Sequence, residues 1–312
     1  MSLHPSLVLL LLACPCGGGL PDGDADNTTT QTQGTDDTAQ ADTAPPAACA
    51  QPETEFNGSY SDATPIVMEE WACGGLDAAT DTDFLTFESP YDGWLKIRVN
   101  AATIGSSSDM RLLFGDGGSQ YNALNLSQRT STDPKLVVPA PGDTQWYAIL
   151  SEQYGGYGEE HYWQFHASMT KSPTEWDTDE VEDNDSVDTG NQLSGDERVF
   201  GQIESGSDQD WFIIEVEEDE LISLAIEAQE HGSPFHAEMS LYKPDGTRVR
   251  RSSSGGTTYD QDPVIEYTAT QSGAWGVLVQ YDSSSQTASV GGSLFYWYVL
   301  DVFVSGQGDT GI

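Results

Sequence analysis

The sequence predicts an all-β protein: two tandem antiparallel β-sandwiches of jelly-roll-like form, behind a disordered N-terminal tether. Three observations carry this. Apolar residues recur with a period of two in short runs, the spacing of half-buried strands, and no stretch shows helical period. Between the runs stand Asp245-Gly246, Ser254-Gly255-Gly256 and Gly291-Gly292, residue types that accept turn conformations. Finally, the chain repeats itself. Glu53-Thr54-Glu55-Phe56-Asn57-Gly58-Ser59 precedes Asp81-Thr82-Asp83-Phe84 by 28 residues, and Glu180-Val181-Glu182-Asp183-Asn184-Asp185-Ser186 precedes Asp208-Gln209-Asp210-Trp211 by the same 28. The copies are offset by 127 residues, and by 129 from Met110/Met239 onward, as one small loop insertion would produce.

Residues 1–13 hold an apolar run from Leu7 to Ala13, too short to span a bilayer but of the length of a signal-peptide core. Leu11-Leu12-Ala13-Cys14 resembles a bacterial lipobox, in which Cys14 is lipidated and becomes the first mature residue. The segment before the core has His4 but no Lys or Arg, so cleavage without lipidation stays open. Residues 14–50 are mostly Gly, Asp, Thr, Gln, Ala and Pro; such a composition buries too little to offset its ordering entropy, and a disordered tether is expected.

The first sandwich is assigned to 51–170, with strands at 84–87, 94–99, 110–114, 136–138, 146–150 and 161–166. The second is assigned to 175–305, with strands at 211–216, 222–226, 236–242, 264–268, 275–281 and 294–304, and 306–312 is a tail. At roughly 120 residues, each can bury its own core.

Charge narrows the function. Fifty-one acidic residues against eleven basic ones give a formal charge of −40, which repels nucleic acid and anionic lipid headgroups. It suits divalent cations, basic partners or a salty medium. With Cys14 allotted to lipid, Cys16, Cys49 and Cys73 remain, and export favours a disulfide. Cys49 lies just before Glu53 and Cys73 just before Asp81; if those acids meet, the sulfurs meet too, which gives the pair Cys49–Cys73.

The pattern E-x-E-x-N-D-S, a Gly before a short strand, and D-x-D-aromatic entering the next strand resembles the bacterial pre-peptidase C-terminal domain, to which the collagen-binding domain of clostridial collagenases is related. The resemblance covers 175–305 well and 50–170 less well. It implies small β-sandwiches, appended to secreted peptidases, that bind calcium through the motif's acids. Carried onto this chain, the implied ligands are Glu180, Glu182, Asn184, Asp185, Asp208 and Asp210 in the second copy, and Glu53, Glu55, Asn57, Asp81 and Asp83 in the first. The residues themselves agree: calcium takes six to eight oxygens, and i, i+2 and i+4 of an extended segment point to one side. The first copy has Gly58 where the second has Asp185, one carboxylate fewer.

Catalytic signals are weak. Asp188-Thr189-Gly190 and Asp309-Thr310-Gly311 spell the aspartic-protease triplet, but the second ends one residue before the end of the sequence and the first lies inside the acidic motif. No H-E-x-x-H or G-x-S-x-G occurs. Tyr154 and Tyr157, on a predicted loop, are candidates to stack on sugar rings or contact a peptide. The expectation is a non-enzymatic, monomeric calcium-binding lipoprotein of the bacterial outer membrane or cell surface. It touches the membrane only through its N-terminal lipid, binds no nucleic acid, and recognises an extracellular polymer or supports secreted enzymes. A secreted form, a structural envelope spacer, and a peptidase-associated enzyme are the alternatives.

Overall fold

The computed structural model describes residues 49–117, 120–121, 133–254, 262–282 and 295–306. The signal peptide, Cys14, Cys16, the tether up to residue 48, Asp309-Thr310-Gly311 and the turn at Gly291-Gly292 lie outside the described residues.

The first half of the described chain contains β1 (Gln51–Pro52), β2 (Thr64–Pro65), β3 (Ala72–Gly75), β4 (Thr82–Ser89), β5 (Gly93–Asn100), β6 (Met110–Gly115), β7 (Gln120–Tyr121), β8 (Lys135–Ala140), β9 (Thr144–Glu152) and β10 (Tyr162–Thr170). The second half repeats the series as β11 (Thr178–Asp179), β12 (Asn191–Leu193), β13 (Asp196–Gln202), β14 (Gln209–Val216), β15 (Leu221–Glu227), β16 (Ala237–Tyr242), β17 (Arg248–Ser253), β18 (Val264–Thr268), β19 (Gly273–Tyr281) and β20 (Trp297–Val304). The sheets run β1-β3-β10-β5-β8 and β2-β4-β9-β6-β7, then β11-β13-β20-β15-β18 and β12-β14-β19-β16-β17. Adding ten to each label converts the first pair of sheets into the second. The duplication read from residue spacing is therefore a duplication of topology.

Each sheet is antiparallel except at one edge, where β1, β2, β11 and β12 pair parallel with β3, β4, β13 and β14. The chain enters each sandwich by stepping between sheets, so successive strands of one sheet near its start run the same way. Sequence periodicity does not expose this, because strands of two or three residues have no period. The sequence also passed over β3, β13 and β17.

Alternation builds the cores. Leu95, Ile97 and Val99 on β5 are buried, as are Ile222, Leu224 and Ile226 on β15, and each sandwich closes over its own apolar cluster. A fully buried Leu or Ile contributes about 2 kcal/mol. The same alternation places two acids in the core register. On β4 the inward positions read Asp83, Leu85, Phe87 and Ser89; on β14 they read Asp210, Phe212, Ile214 and Val216. Both aspartates are completely buried.

Cys49 and Cys73 form a disulfide with a Cα–Cα distance of 5.9 Å, tying the entry of the first sandwich to β3. The sandwiches also touch each other. Trp297 Nε1 donates to the Val137 carbonyl at 2.7 Å, the Val137 amide donates to the Gly232 carbonyl at 2.8 Å, and Lys135 Nζ donates to the Glu230 carbonyl at 2.6 Å. No described helix is long and apolar enough to cross a membrane.

Candidate metal centre

Each acidic motif folds around the start of a core strand. In the second sandwich, the Glu180 amide bonds to the Phe200 carbonyl, continuing the β11–β13 pairing by one step, and this brings the Glu180 side chain over β13. Glu180 Oε1 then accepts from the Gln202 amide at 2.5 Å. The next turn is held by Asn191, whose side chain bonds both the amide and the carbonyl of Val181. Asn184 is buried; its carbonyl accepts from the Trp211 amide, and its Nδ2 reaches Glu180 Oε2 at 3.5 Å. Oxygens of Glu180, Glu182 and Asp210 lie within 4.8 Å of one another.

The first sandwich repeats this with its own residues. Glu53 Oε1 accepts from the Gly75 amide at 2.7 Å, Asn57 Nδ2 reaches Glu53 Oε2 at 3.2 Å, and the Asn57 carbonyl accepts from the Phe84 amide. Thr64 does for Thr54 what Asn191 does for Val181. Glu53, Glu55 and Asp83 form the second close set of oxygens.

Three of the sequence candidates stand outside these close sets of oxygens. Asp208 Oδ2 accepts from the Glu204 amide at 2.6 Å and Asp81 Oδ2 from the Asp77 amide at 2.7 Å, each bracing the turn before its strand. Asp185 Oδ1 accepts from the Gln209 amide at 3.1 Å. These carboxylates stand beside the close sets and add negative potential to them. Tyr154 and Tyr157 are exposed on the loop between β9 and β10.

Two residues that contact the buried aspartates were not among the sequence candidates. Tyr298 on β20 donates to Asp210 Oδ2 at 2.5 Å and lies 3.3 Å from Glu180 Oε2. At the matching place on β10, Trp163 Nε1 donates to Asp83 Oδ2 at 2.6 Å. Each ring lies across from a glycine: Tyr298 pairs with Gly201 and Trp163 with Gly74. A Cβ on Gly201 would sit 2.4 Å from Tyr298 Cζ and 2.8 Å from Glu180 Oε2; one on Gly74 would sit 2.0 Å from Glu53 Oε1. The glycine before the motif's strand is thus required by the close approach of glutamate and ring.

The electrostatics are those of acids gathered without compensation. Burial, then the neighbouring Glu180, pushes Asp210 up to about 10, and burial followed by Glu53 does the same to Asp83. Glu180 and Glu53 are pushed up to about 8, again chiefly by burial. Burial also raises Glu55, Glu182 and Asp208. With one oxygen of each aspartate held by a ring donor, the other has no partner: Asp83 Oδ1, Asp210 Oδ1, Asn57 Oδ1 and Asn184 Oδ1 are all buried and unpaired. Leaving such an acceptor buried costs about 1–3 kcal/mol, more if charged. A donor set made only of carboxylate and amide oxygens fits a hard cation such as calcium, not zinc or copper.

A third close group, Glu227, Glu230 and His231, differs in kind. Arg198 already pairs with Glu227, and His231 Nε2 lies 3.2 Å from both glutamates. The Arg198 guanidinium offsets the charge of Glu227.

No family model matches the chain, and no curated protein matches it. Among solved structures, the chain is similar to the pre-peptidase C-terminal domain of a collagenase from Bacillus anthracis, at 13% identity and TM-score 0.28, over 36% of this chain and 93% of that one. It is similar to a periplasmic inhibitor of g-type lysozyme from Salmonella Typhimurium, at 18% identity and TM-score 0.25, over 37% of this chain and 99% of that one. It is also similar to the tandem CBM51 modules of a family 98 glycoside hydrolase from Streptococcus pneumoniae, at 9% identity and TM-score 0.20, over 80% of this chain and 86% of that one.

Proposed function

We propose that this chain is a non-catalytic extracellular binding protein in which each sandwich holds one calcium ion and presents its loops to an extracellular polymer. The observation that supports it is the pair of unpaired buried oxygens in each copy, Asn57 Oδ1 with Asp83 Oδ1 and Asn184 Oδ1 with Asp210 Oδ1. A duplicated chain that keeps the same costly acceptors in both copies keeps them for a ligand that satisfies them. In the second sandwich Glu180, Glu182, Asn184 and Asp210 would hold the ion, and in the first Glu53, Glu55, Asn57 and Asp83. The ion supplies charge neutralisation and ties the segment before each sandwich to its core strand.

Calcium binds the folded state in preference to the unfolded one, so stability rises as RT ln(1 + [Ca²⁺]/Kd), about 2.7 kcal/mol at a hundredfold excess over Kd. For a site of extracellular strength, millimolar calcium raises the melting temperature by a few degrees, and magnesium does less because it sheds water reluctantly. Asp210→Asn removes most of the second sandwich's calcium response. An equal response in wild type and Asp210→Asn would mean that calcium only screens a surface of charge −40.

The chain's place at the cell surface rests on Leu11-Leu12-Ala13-Cys14. Cys14→Ser is expected to move the protein from the membrane pellet to the soluble fraction; retention in the pellet after a salt wash would remove the lipid anchor from this reading.

A further inference from the structure

Three strongly exposed aromatic residues lie on segments tied to the first acidic centre. Phe56 is 94% exposed, Tyr154 77% and Tyr157 57%. Phe56 stands between Glu55 and Asn57 of the first motif; the second motif has Asp183 in its place. Tyr154 and Tyr157 belong to the loop between β9 and β10. That loop is held by the Glu152 side chain, whose Oε2 accepts from the amides of Tyr154 at 2.5 Å and Gly156 at 2.9 Å. It is bound in turn to the segment leading into β4, where the Gly158 amide donates to the Leu76 carbonyl at 2.8 Å and the Leu76 amide to the His161 carbonyl at 2.9 Å. The same segment carries Asp77 and Asp81, whose charges act on Glu55, the neighbour of Phe56. The motif segment that carries Phe56 and the loop that carries Tyr154 and Tyr157 are thus both linked to residues 76–81, beside the first acidic centre.

The chemistry of the rim limits what the rings can meet. Neither 49–83 nor 152–161 contains a lysine or arginine, whereas Glu55, Glu159 and Glu160 are exposed there. Carboxylates accept hydrogen bonds and donate none. A polyanion is repelled, and a ligand that offers flat apolar faces together with many hydroxyl donors fits both the rings and the carboxylates. Pyranose rings have both.

We propose that Phe56, Tyr154 and Tyr157 form a stacking platform for a neutral polysaccharide, whose hydroxyls donate to the surrounding carboxylates. This rests on the reading of the protein as a polymer-binding module, and it assigns that role to the first sandwich.

The test is affinity electrophoresis of the full chain through gels containing soluble neutral glucan, mannan or galactan, with and without calcium. At least one glycan retards the wild type. Phe56→Ala, Tyr154→Ala and Tyr157→Ala each weaken retention, by about fivefold for one lost stacking contact, while Tyr91→Ala, an exposed ring elsewhere in the same sandwich, leaves it unchanged. Calcium-dependent melting of the three variants shows that they remain folded. Failure of every glycan to retard the wild type, or equal retention of the three variants, overturns the proposal. So does ring-dependent binding to phosphatidylcholine vesicles or to polylysine in place of the glycans. A calcium melting response without any glycan retention leaves the cation reading standing and removes this one; ring-dependent retention without a calcium response does the reverse.

Discussion

At the scale of single residues, the centre of this protein is a carboxylate in a strand position meant for an apolar side chain. Asp83 and Asp210 occupy the inward register of β4 and β14, ahead of Leu85 and Phe212. That was legible, because D-x-D followed by an aromatic strand recurs at matched spacing. The ring donors were not. Trp163 lies 80 residues from Asp83 and Tyr298 lies 88 from Asp210, and in sequence each reads as one more aromatic on a strand. The acids also set a pH dependence. The raised values, about 8 for Glu180 and about 10 for Asp210, mean that without a cation the folded state holds more protons than the unfolded chain from about pH 4 upward. Stability of the cation-free protein therefore falls as pH rises through that window. Its melting temperature is expected to be higher at pH 5 than at pH 8, and the calcium-induced increase larger at pH 8, where fewer protons compete for the oxygens. Asp210→Asn should flatten the slope relative to wild type. Melting curves of the two proteins in chelator across pH 5–8 check this, and parallel curves would show that the acids of the second centre do not set the trend.

At the scale of elements, strands with two clean faces could be read and those without could not. β5 and β15 alternate over their length and were located within a residue or two. β3 reads Ala-Cys-Gly-Gly and is buried at all four positions, so it has neither alternation nor β-branched residues to announce it. β17 reads Arg-Val-Arg-Arg-Ser-Ser, the charged composition of an outer strand, and lies at the edge of its sheet. β1 is two residues long and cannot hold its place by its own pairing. The disulfide supplies what β1 lacks. Cys49 and Cys73 are 24 residues apart, and closing a loop of that size stabilises by about 3 kcal/mol through the unfolded chain. Between Cys49 and β3 lies the first half of the first motif, Glu53 to Ser59. Cys49→Ser with Cys73→Ser is therefore expected to lower the melting temperature of the first sandwich by several degrees and to weaken its calcium response, with the response of the second sandwich unchanged. Calcium titrations followed by melting, with Asp210→Asn as the background that silences the second centre, measure the first alone. An unaltered response there would separate the disulfide from the centre.

At the scale of the whole molecule, the duplication is broken where the two copies meet. β20 is the counterpart of β10, and Tyr298 stands where Trp163 does, but the residue before it has been turned to a different use. Trp297 is fully buried, with its indole N–H on Val137 of the first sandwich and its ring 5.3 Å from Trp94. Its counterpart Tyr162 bonds instead to Ile104 within its own sandwich. Phe295, two residues before Trp297, packs against the first core beside Phe114 and Trp146. Trp94 also meets Phe200, on which Trp176 from the connecting segment stacks at 4.7 Å. One strand thus carries a donor to the second centre on its inner face and the joint to the first sandwich on the other. Sequence reading ended the first sandwich at 170 and began the second at 175, and nothing in the composition of these aromatics marks a joint. They are core residues, but of the joint, and composition cannot distinguish the two. With so much apolar surface shared, the sandwiches are expected to unfold in one calorimetric transition. Trp297→Ala removes the central ring and its hydrogen bond, a loss of about 4 kcal/mol for a buried tryptophan, and should split the transition into two. Persistence of the calcium response in that variant would show that the second sandwich still folds. Two transitions in the wild type, or one in the variant, would mean that the contacts at the joint do not couple the halves.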